Sequence, residues 1–258
     1  MTGAGGQVGR ALRSELPGAQ FIGHDELDVT DRRAVMARLG GADLVVNCAA
    51  MTDVDGCEAD PERAMAVNGR GAAHVAAAAR RVIQLSTDYV FDGTKDGEYA
   101  EDDAPNPQSA YGRSKLEGER AVREAGANLI VRTSWVFGEG RNFIRSVVAA
   151  HRAGRTLRVV SDQCGRPTWA GDVAHAVAHL ARSGESGVVN VAGDGAPCTW
   201  ADLAELAVGH QVERVTSEEW GAPAPRPRNS VLALDRARTL GVPLADWRDS
   251  VSRYVEGL

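Results

Sequence analysis

Tyr111 and Lys115 stand four residues apart in Tyr111-Gly112-Arg113-Ser114-Lys115. If the segment is helical, that spacing puts both side chains on one face. A free phenol titrates near ~10, too high for an effective acid at neutral pH. An ammonium at roughly 4 Å, in an effective dielectric of about 20, favours the phenolate by about 4 kcal/mol. After desolvation, a drop of about two to three pKa units is expected. Tyr111 is thereby a candidate proton donor to a carbonyl oxygen whose carbon receives hydride. Thr87, at the end of the apolar run Val82-Ile83-Gln84-Leu85, offers a second hydroxyl to the same oxygen. A lone Y-x-x-x-K pair also occurs on solvated helices, so the reading depends on whether the chain can seat a hydride carrier.

Residues 1–9 supply such a seat. Gly3, Gly6 and Gly9 have T-G-x-x-G-x-x-G spacing, which lets backbone N–H groups approach a pyrophosphate at the positive end of the following helix. That helix is expected from Gln7 to about Leu16, stopped by Pro17-Gly18. The competing reading is a flexible glycine-rich start. Such a turn should follow a buried strand, and only Met1 and Thr2 precede it, so residues before Met1 are expected to be missing. A second gap is expected near Arg81, where Ala76–Arg81 runs into Val82 without the usual connection of two to six residues.

Beyond the first helix, 20–24 reads as a short strand ending at Asp25, 22 residues after Gly3. An acid at that distance commonly holds an adenosine ribose hydroxyl. No arginine follows to mark a 2′-phosphate, although His24 is a candidate, so NADH and NADPH stay equally open. Asp43–Val46 is a buried strand opening onto Asn47-Cys48-Ala49-Ala50-Met51-Thr52, small residues that leave room for a flat ligand or simply form a buried turn. Helices at about 61–67 and 72–81 precede the Val82 strand, and 128–132 is the next strand. This alternation predicts an α/β fold, a Rossmann-type doubly wound parallel sheet.

Past residue 138 the character shifts. The expected dinucleotide-binding domain is 1–138, and 139–258 is a smaller, mainly substrate-binding portion interleaved with it. Helices are expected at 142–152, 170–181 and 199–208, with strands at 157–160 and 187–191. Trp135 reads equally as core or as a plate behind a sugar ring. Arg226 and Arg228 bracket a proline in a chain of net charge −6; they suit a diphosphate, with surface solubility as the rival reading.

The same charge gives no global attraction to nucleic acid or an anionic membrane. No apolar run approaches the ~20 residues of a membrane span. Four scattered cysteines without a C-x-x-C pair suggest reduced thiols and a cytoplasmic protein. His175 and His179 have metal-ligand spacing but lack the glutamate of H-E-x-x-H, and no metal site is expected from them. No G-x-S-x-G elbow supports a hydrolase.

Taken together, T-G-A-G-G-Q-V-G at 2–9, L-D-V-T-D at 27–31, N-C-A-A-M-T-D-V-D at 47–55, S-T-D-Y-V-F-D-G at 86–93, Y-G-R-S-K at 111–115, R-T-S-W-V-F at 132–137, Q-C-G-R-P-T at 163–168 and R-P-R-N-S at 226–230 resemble the extended short-chain dehydrogenase/reductases. Within them, the chain is similar to the dTDP-4-dehydrorhamnose reductase family. The resemblance implies NADPH- or NADH-dependent reduction of the C4 ketone of dTDP-4-dehydro-6-deoxy-L-mannose to dTDP-L-rhamnose. It implies that Gly3, Gly6, Gln7 and Val8 meet the pyrophosphate and that Asp28 and Val29 lie near the adenine. Ala49, Ala50, Met51 and Thr52 would border the ribose and nicotinamide, and Lys115 and Tyr111 would reach the nicotinamide ribose. Thr87, Asp88, Trp135 and Arg226 would face the sugar nucleotide. Related 4,6-dehydratases carry Asp-Glu after the threonine; here Asp88-Tyr89 lacks the second carboxylate, which favours reduction over elimination. Mg2+ and a homodimer are family expectations. The alternatives are a reductase of a related dTDP-4-keto-6-deoxyhexose in secondary metabolism, or a non-catalytic cofactor-binding regulatory subunit.

Overall fold

The run Val82-Ile83-Gln84-Leu85-Ser86-Thr87 is buried at every position, which requires a sheet covered on both faces. The computed structural model describes residues 1–258. Its first half comprises α1 (Gln7–Glu15), α2 (Arg32–Leu39), β1 (Val45–Asn47), α3 (Val54–Ala59), α4 (Pro61–Ala64), α5 (Gly71–Ala78), β2 (Val82–Thr87), α6 (Ala110–Glu124), β3 (Leu129–Thr133) and β4 (Val136–Phe137). Then follow α7 (Phe143–Arg152), β5 (Arg158–Val160), β6 (Cys164–Gly165), β7 (Thr168–Trp169), α8 (Ala170–Ser183), β8 (Gly187–Asn190), β9 (Cys198–Thr199), α9 (Trp200–Val208), β10 (Glu213–Val215), α10 (Ser217–Trp220), α11 (Asp235–Thr239) and α12 (Trp247–Glu256).

The main sheet is parallel in the order β1-β2-β3-β8. Alternation along it assigns the two faces. Val46, Ile83, Leu85, Leu129, Val131 and Val189 pack with Leu12 of α1 and Val173, Val177 and Leu180 of α8. Val45, Val82, Ile130 and Val188 pack with Val35 and Leu39 of α2, Val75 of α5 and Val122 of α6. The expected doubly wound sheet is thus present, and the chain after residue 138 supplies one strand and one covering helix to it. The rest of that half forms its own core around Phe137, Ile144, Val148, Leu203, Trp247 and Val251. No helix is long and apolar enough to cross a membrane.

Several sequence expectations need correction. The glycine turn does have an anchor, because Met1 and Thr2 occupy the strand position between Ile22 and β1. Thr2 N–H donates to Val46 O at 3.0 Å, Cys48 N–H to Thr2 O at 3.2 Å, and Ile22 N–H to Met1 O at 3.0 Å. The expected strand at 20–24 is reduced to the single bridge of Ile22 with Thr2. Nor is the Arg81 junction short of chain. The alanine run leaves the helix at Ala79, whose ψ is 155°, so Ala79–Arg81 form a three-residue connection. Strand pairing wins there over helix propensity: Arg80 N–H donates to Ala42 O, and Val45 N–H to Arg81 O. The two helices expected at 61–67 and 72–81 are one path, 61–78, joined through a π-helical stretch Met65–Arg70. Other elements shift by a residue or two: Asn142 and Thr199 are N-caps rather than helical residues.

One buried ion pair ties the sheet to α6. Arg132 of β3 and Glu119 of α6 meet bidentately, at 2.9 and 2.7 Å, with side chains 1% and 2% exposed. Ser86 Oγ donates to Glu119 as well, at 2.6 Å, and Arg132 stacks over Phe91. Removing one partner strands the other charge in the interior, which typically costs about 3–5 kcal/mol. Glu119→Ala is therefore expected to lower unfolding free energy by about that amount in urea titration, with Glu119→Gln intermediate.

Candidate active site

The carboxyl ends of Thr2, β1 and β2 meet where the chain reverses its order in the sheet, the place where open α/β sheets bind ligands. The glycine turn is packed as tightly as backbone allows. Gly3 has φ +71°, and a Cβ there would fall 2.5 Å from Ala49 N. A Cβ on Gly9 would fall 2.2 Å from Gly3 O. Gly6 caps α1 without a side-chain hydrogen bond, leaving the first N–H groups of that nine-residue helix for an anion. Gln7 Oε1 is buried without a hydrogen-bond partner. Val8 packs against the core, so its backbone alone faces the turn. Across the crevice, Ala49, Ala50 and Met51 are half-buried and Thr52 is exposed. Asn68, presented by the π-helical stretch, grips Met51 at both backbone groups (2.8 and 3.0 Å) and donates to Ser114 Oγ at 2.9 Å. A turn that only glycine can fill, an uncapped helix start and small residues opposite fit a dinucleotide.

A buried polar chain crosses beneath this crevice. Thr2 Oγ1 donates to Asn47 Oδ1 (2.6 Å), Asn47 Nδ2 to Gln84 Oε1 (2.7 Å) and Gln84 Nε2 to Leu85 O (2.9 Å). Lys115 Nζ donates to the same Leu85 carbonyl at 2.6 Å.

At the adenosine end the structure separates the candidates. Asp25 is exposed. The Asp28 carboxylate accepts Thr30 N–H and Oγ1–H, both at 2.8 Å, which holds its pKa below the usual carboxylate value. Val29 lies in the core, where a Cβ on Gly71 would sit 2.8 Å from Val29 Cγ2. Its carbonyl, 3.0 Å from His74 Nδ1, is its only polar commitment here.

Tyr111 enters from the first turn of α6, whose N-cap Ser109 accepts Gly112 N–H. The turn Asp88–Val90 lies directly against it: a Cβ on Gly112 would fall 2.1 Å from Tyr89 O. Thr87 Oγ1 accepts Tyr89 N–H (3.1 Å) and donates to Asp88 Oδ1 (3.0 Å). The Tyr89 and Tyr111 rings meet edge to face at 5.8 Å. The electrostatics differ from the sequence expectation. Burial raises the Tyr111 phenol pKa, against a lowering by hydrogen bonding to Thr87, and the Asp88 charge raises it further. Lys115 does not offset this, since its ammonium is spent on Leu85 O and burial lowers its own pKa to about 8. Asp88, 2% exposed, is pushed up to about 7 by burial, against hydrogen bonds from Ser230 and Thr87.

Trp135 and Arg226 are each committed to partners within the fold. Trp135 stands on a left-handed backbone (φ 45°), a strained conformation for a bulky residue. Its ring stacks on Trp200 at 3.7 Å and covers Gly165, where a Cβ would fall 2.5 Å from it. Trp135 thus welds β4 to the C-terminal layer. Arg226 is not a free cation: both Nη atoms donate to Asp55, at 3.1 and 3.0 Å. Asp55, Asn68 and Ser230 were not singled out from the sequence; Asp55 and Ser230 lie inside motifs that were, whereas Asn68 lies outside them all. His175 faces Glu15 and His179 faces Leu240 O. No group of three or more His, Cys, Asp or Glu side chains is placed to hold a metal ion.

The glycine turn, the switch-point crevice and the Thr87–Tyr111–Lys115 cluster define an extended short-chain dehydrogenase/reductase. Residues 1–258 match the family model described as the RmlD substrate binding domain. Relatives include a dTDP-4-dehydrorhamnose reductase of Streptomyces griseus, 40% identical over 100% of this chain and 93% of its own. A probable dTDP-4,6-dihydroxy-2-methyloxan-3-one 4-ketoreductase of Streptomyces antibioticus is 39% identical over 97% of this chain and 92% of its own. The crystal structure of the Bacillus anthracis dTDP-4-dehydrorhamnose reductase in complex with NADP superposes with TM-score 0.93 at 32% identity, covering 100% of this chain and 98% of that one. The chain belongs to the dTDP-4-dehydrorhamnose reductase family.

The buried ammonium has a measurable cost. With its folded pKa depressed from 10.5 to about 8, Lys115 adds stability above its unfolded pKa and loses it as pH falls through 8. The loss is up to about 3 kcal/mol. Lys115→Met removes that charge while Gln84 still satisfies Leu85 O. Its stability in urea is expected to exceed wild type at pH 7 and to vary less between pH 8 and 10.5.

Proposed function

We propose that the chain reduces the C4 ketone of dTDP-4-dehydro-6-deoxy-L-mannose to dTDP-L-rhamnose with NADPH or NADH. The observation that carries this reading is the packing of the Thr87–Tyr89 turn against Tyr111, with Lys115 one helical turn on, in a family whose relatives bear the name of that reduction. Gly3, Gly6 and the start of α1 would hold the cofactor's pyrophosphate, and Ala49–Thr52 its nicotinamide half. When bound, it supplies hydride to C4. Burial keeps the Tyr111 hydroxyl protonated at neutral pH, the state a donor needs. Tyr111 gives that proton to the C4 oxygen, so the ketone becomes an alcohol, and the phenolate regains a proton from solvent. Thr87, steadied by Asp88 and Tyr89 N–H, offers the oxygen a second polar contact. Free thiols at all four cysteines agree with a cytoplasmic place of action.

A second sugar is supported by one observation: the Streptomyces antibioticus relative, nearly as similar, is named for a different dTDP-keto sugar. The reaction class is the same in both readings.

The test offers the full chain dTDP-4-dehydro-6-deoxy-L-mannose, follows NADPH and NADH oxidation separately and identifies the product by NMR. Tyr111→Phe is expected to cut kcat by roughly 10²–10⁴ while leaving cofactor affinity within about threefold. Unchanged turnover in that variant would remove Tyr111 from the donor role.

A further inference from the structure

Residues 53–58 leave the crevice wall and turn back onto the helix that carries Tyr111. Asp53 follows Ala49–Thr52 directly and caps α3, its carboxylate accepting Gly56 N–H at 3.1 Å. From α3, Cys57 is buried with Ala110, against Met51 and Tyr111, and its Sγ lies 3.6 Å from Met51 O. Glu58, the next residue, is half-buried. Its Oε2 accepts Ala110 N–H at 2.7 Å, and its Oε1 lies 3.6 Å from Arg113 Nη2. These are the polar contacts between α3 and α6, and one side chain makes both.

Other contacts hold the Tyr111 backbone on the far side. Ser109 Oγ accepts Gly112 N–H at 3.1 Å. Ser114 Oγ donates to the Tyr111 carbonyl at 2.8 Å and accepts Asn68 Nδ2–H at 2.9 Å. Because Asn68 also grips Met51, it fixes the crevice wall to α6 three residues after Tyr111. One fixed point leaves a helix free to pivot. Glu58 supplies the second, one residue before Tyr111, so the two attachments bracket the phenol. The first N–H groups of a helix have no partner within it, and a carboxylate that accepts one makes a charge-assisted hydrogen bond. The chemistry needs such a bracket, because hydride goes to C4 and the proton to its oxygen, atoms about 1.2 Å apart. A misplacement of about 1 Å between the two delivering groups can cost about 10² in rate.

We propose that Glu58 is a positioning residue: by accepting Ala110 N–H it sets the Tyr111 hydroxyl in register with the wall formed by residues 49–52. The assignment rests on the reading above, in which Tyr111 gives the proton and that wall borders the nicotinamide. It adds the side chain that holds the two in one geometry.

Steady-state kinetics with dTDP-4-dehydro-6-deoxy-L-mannose, beside NADPH titration by fluorescence, test the assignment. Glu58→Ala is expected to lower kcat roughly 10- to 100-fold, with KM for the sugar and NADPH affinity within about threefold. Glu58→Gln keeps an oxygen acceptor for Ala110 N–H and should retain at least about a third of wild-type kcat. Arg113→Ala removes the ion pair but not the Ala110 bond, and should keep wild-type kcat. Added to Tyr111→Phe, Glu58→Ala should cost less than about threefold more, because it acts through Tyr111. If Glu58→Ala loses its cooperative melt, Glu58→Asp, one methylene shorter, carries the same expectation. Wild-type turnover in Glu58→Ala, equal losses in the Ala and Gln variants, or an equal loss in Arg113→Ala would each overturn the assignment. So would a full further loss on the Tyr111→Phe background, or a fall in NADPH affinity that matches the fall in kcat. No turnover of the keto sugar by the wild-type chain would instead overturn the proposed reduction, and this assignment with it.

Discussion

The hydrogen-bond chain Thr2–Asn47–Gln84–Leu85 O–Lys115 is the constraint on which the site depends. It runs through the interior, across three strands, and its members are joined at 2.6 to 2.9 Å. A buried amide or ammonium without a partner is costly, and a fully satisfied network specifies one arrangement. The glycine turn after Thr2 and the lysine on α6 are therefore held in one register, although 113 positions separate Thr2 from Lys115 (115 − 2). Asn68 plays a parallel part above it, tying Met51 to Ser114. Its place on a π-helical stretch fits the tendency of such irregularities to lie at functional sites.

The sheet and the grouping of Thr87, Tyr111 and Lys115 were legible because they rest on local signals. Short apolar runs, glycine spacing and a four-residue Tyr-Lys interval need no knowledge of distant partners. Thr87, Tyr111 and Lys115 emerged from that pattern and stand together in the fold. The role of Met1-Thr2 was not legible, since two residues carry no periodicity and their strand exists only through Ile22 and Val46. Asp55 was hidden for a related reason. Its partner Arg226 lies 171 positions away, and nothing in either local motif announces the pair.

Electrostatics was the least legible layer. A Coulomb estimate for Tyr111 and Lys115 assumed that the ammonium would serve the phenol, whereas the fold gives it a carbonyl and buries both groups. Desolvation, which opposes charge of either sign, then pushes the phenol and the amine in opposite directions. Trp135 shows the same limit for packing. Its motif left core packing and a plate behind a sugar equally open, and only the fold reveals that the ring spans to Trp200 on a strained backbone.

The late arrival of α8 and β8 in the chain has a consequence for biosynthesis. Once Thr133 has left the ribosome, β1 to β3 can pair, yet the face formed by Val46, Ile83, Leu85, Leu129 and Val131 still lacks α8. At ~5–20 residues per second, the roughly 57 residues up to Asn190 take about 3–11 s to emerge. During that interval a nascent half-sheet presents a bare aliphatic face and an unpaired β3 edge, the combination that invites association with other chains. Trigger-type holding by a chaperone, or slow codons placed before rather than within 134–190, would shorten or shield that window.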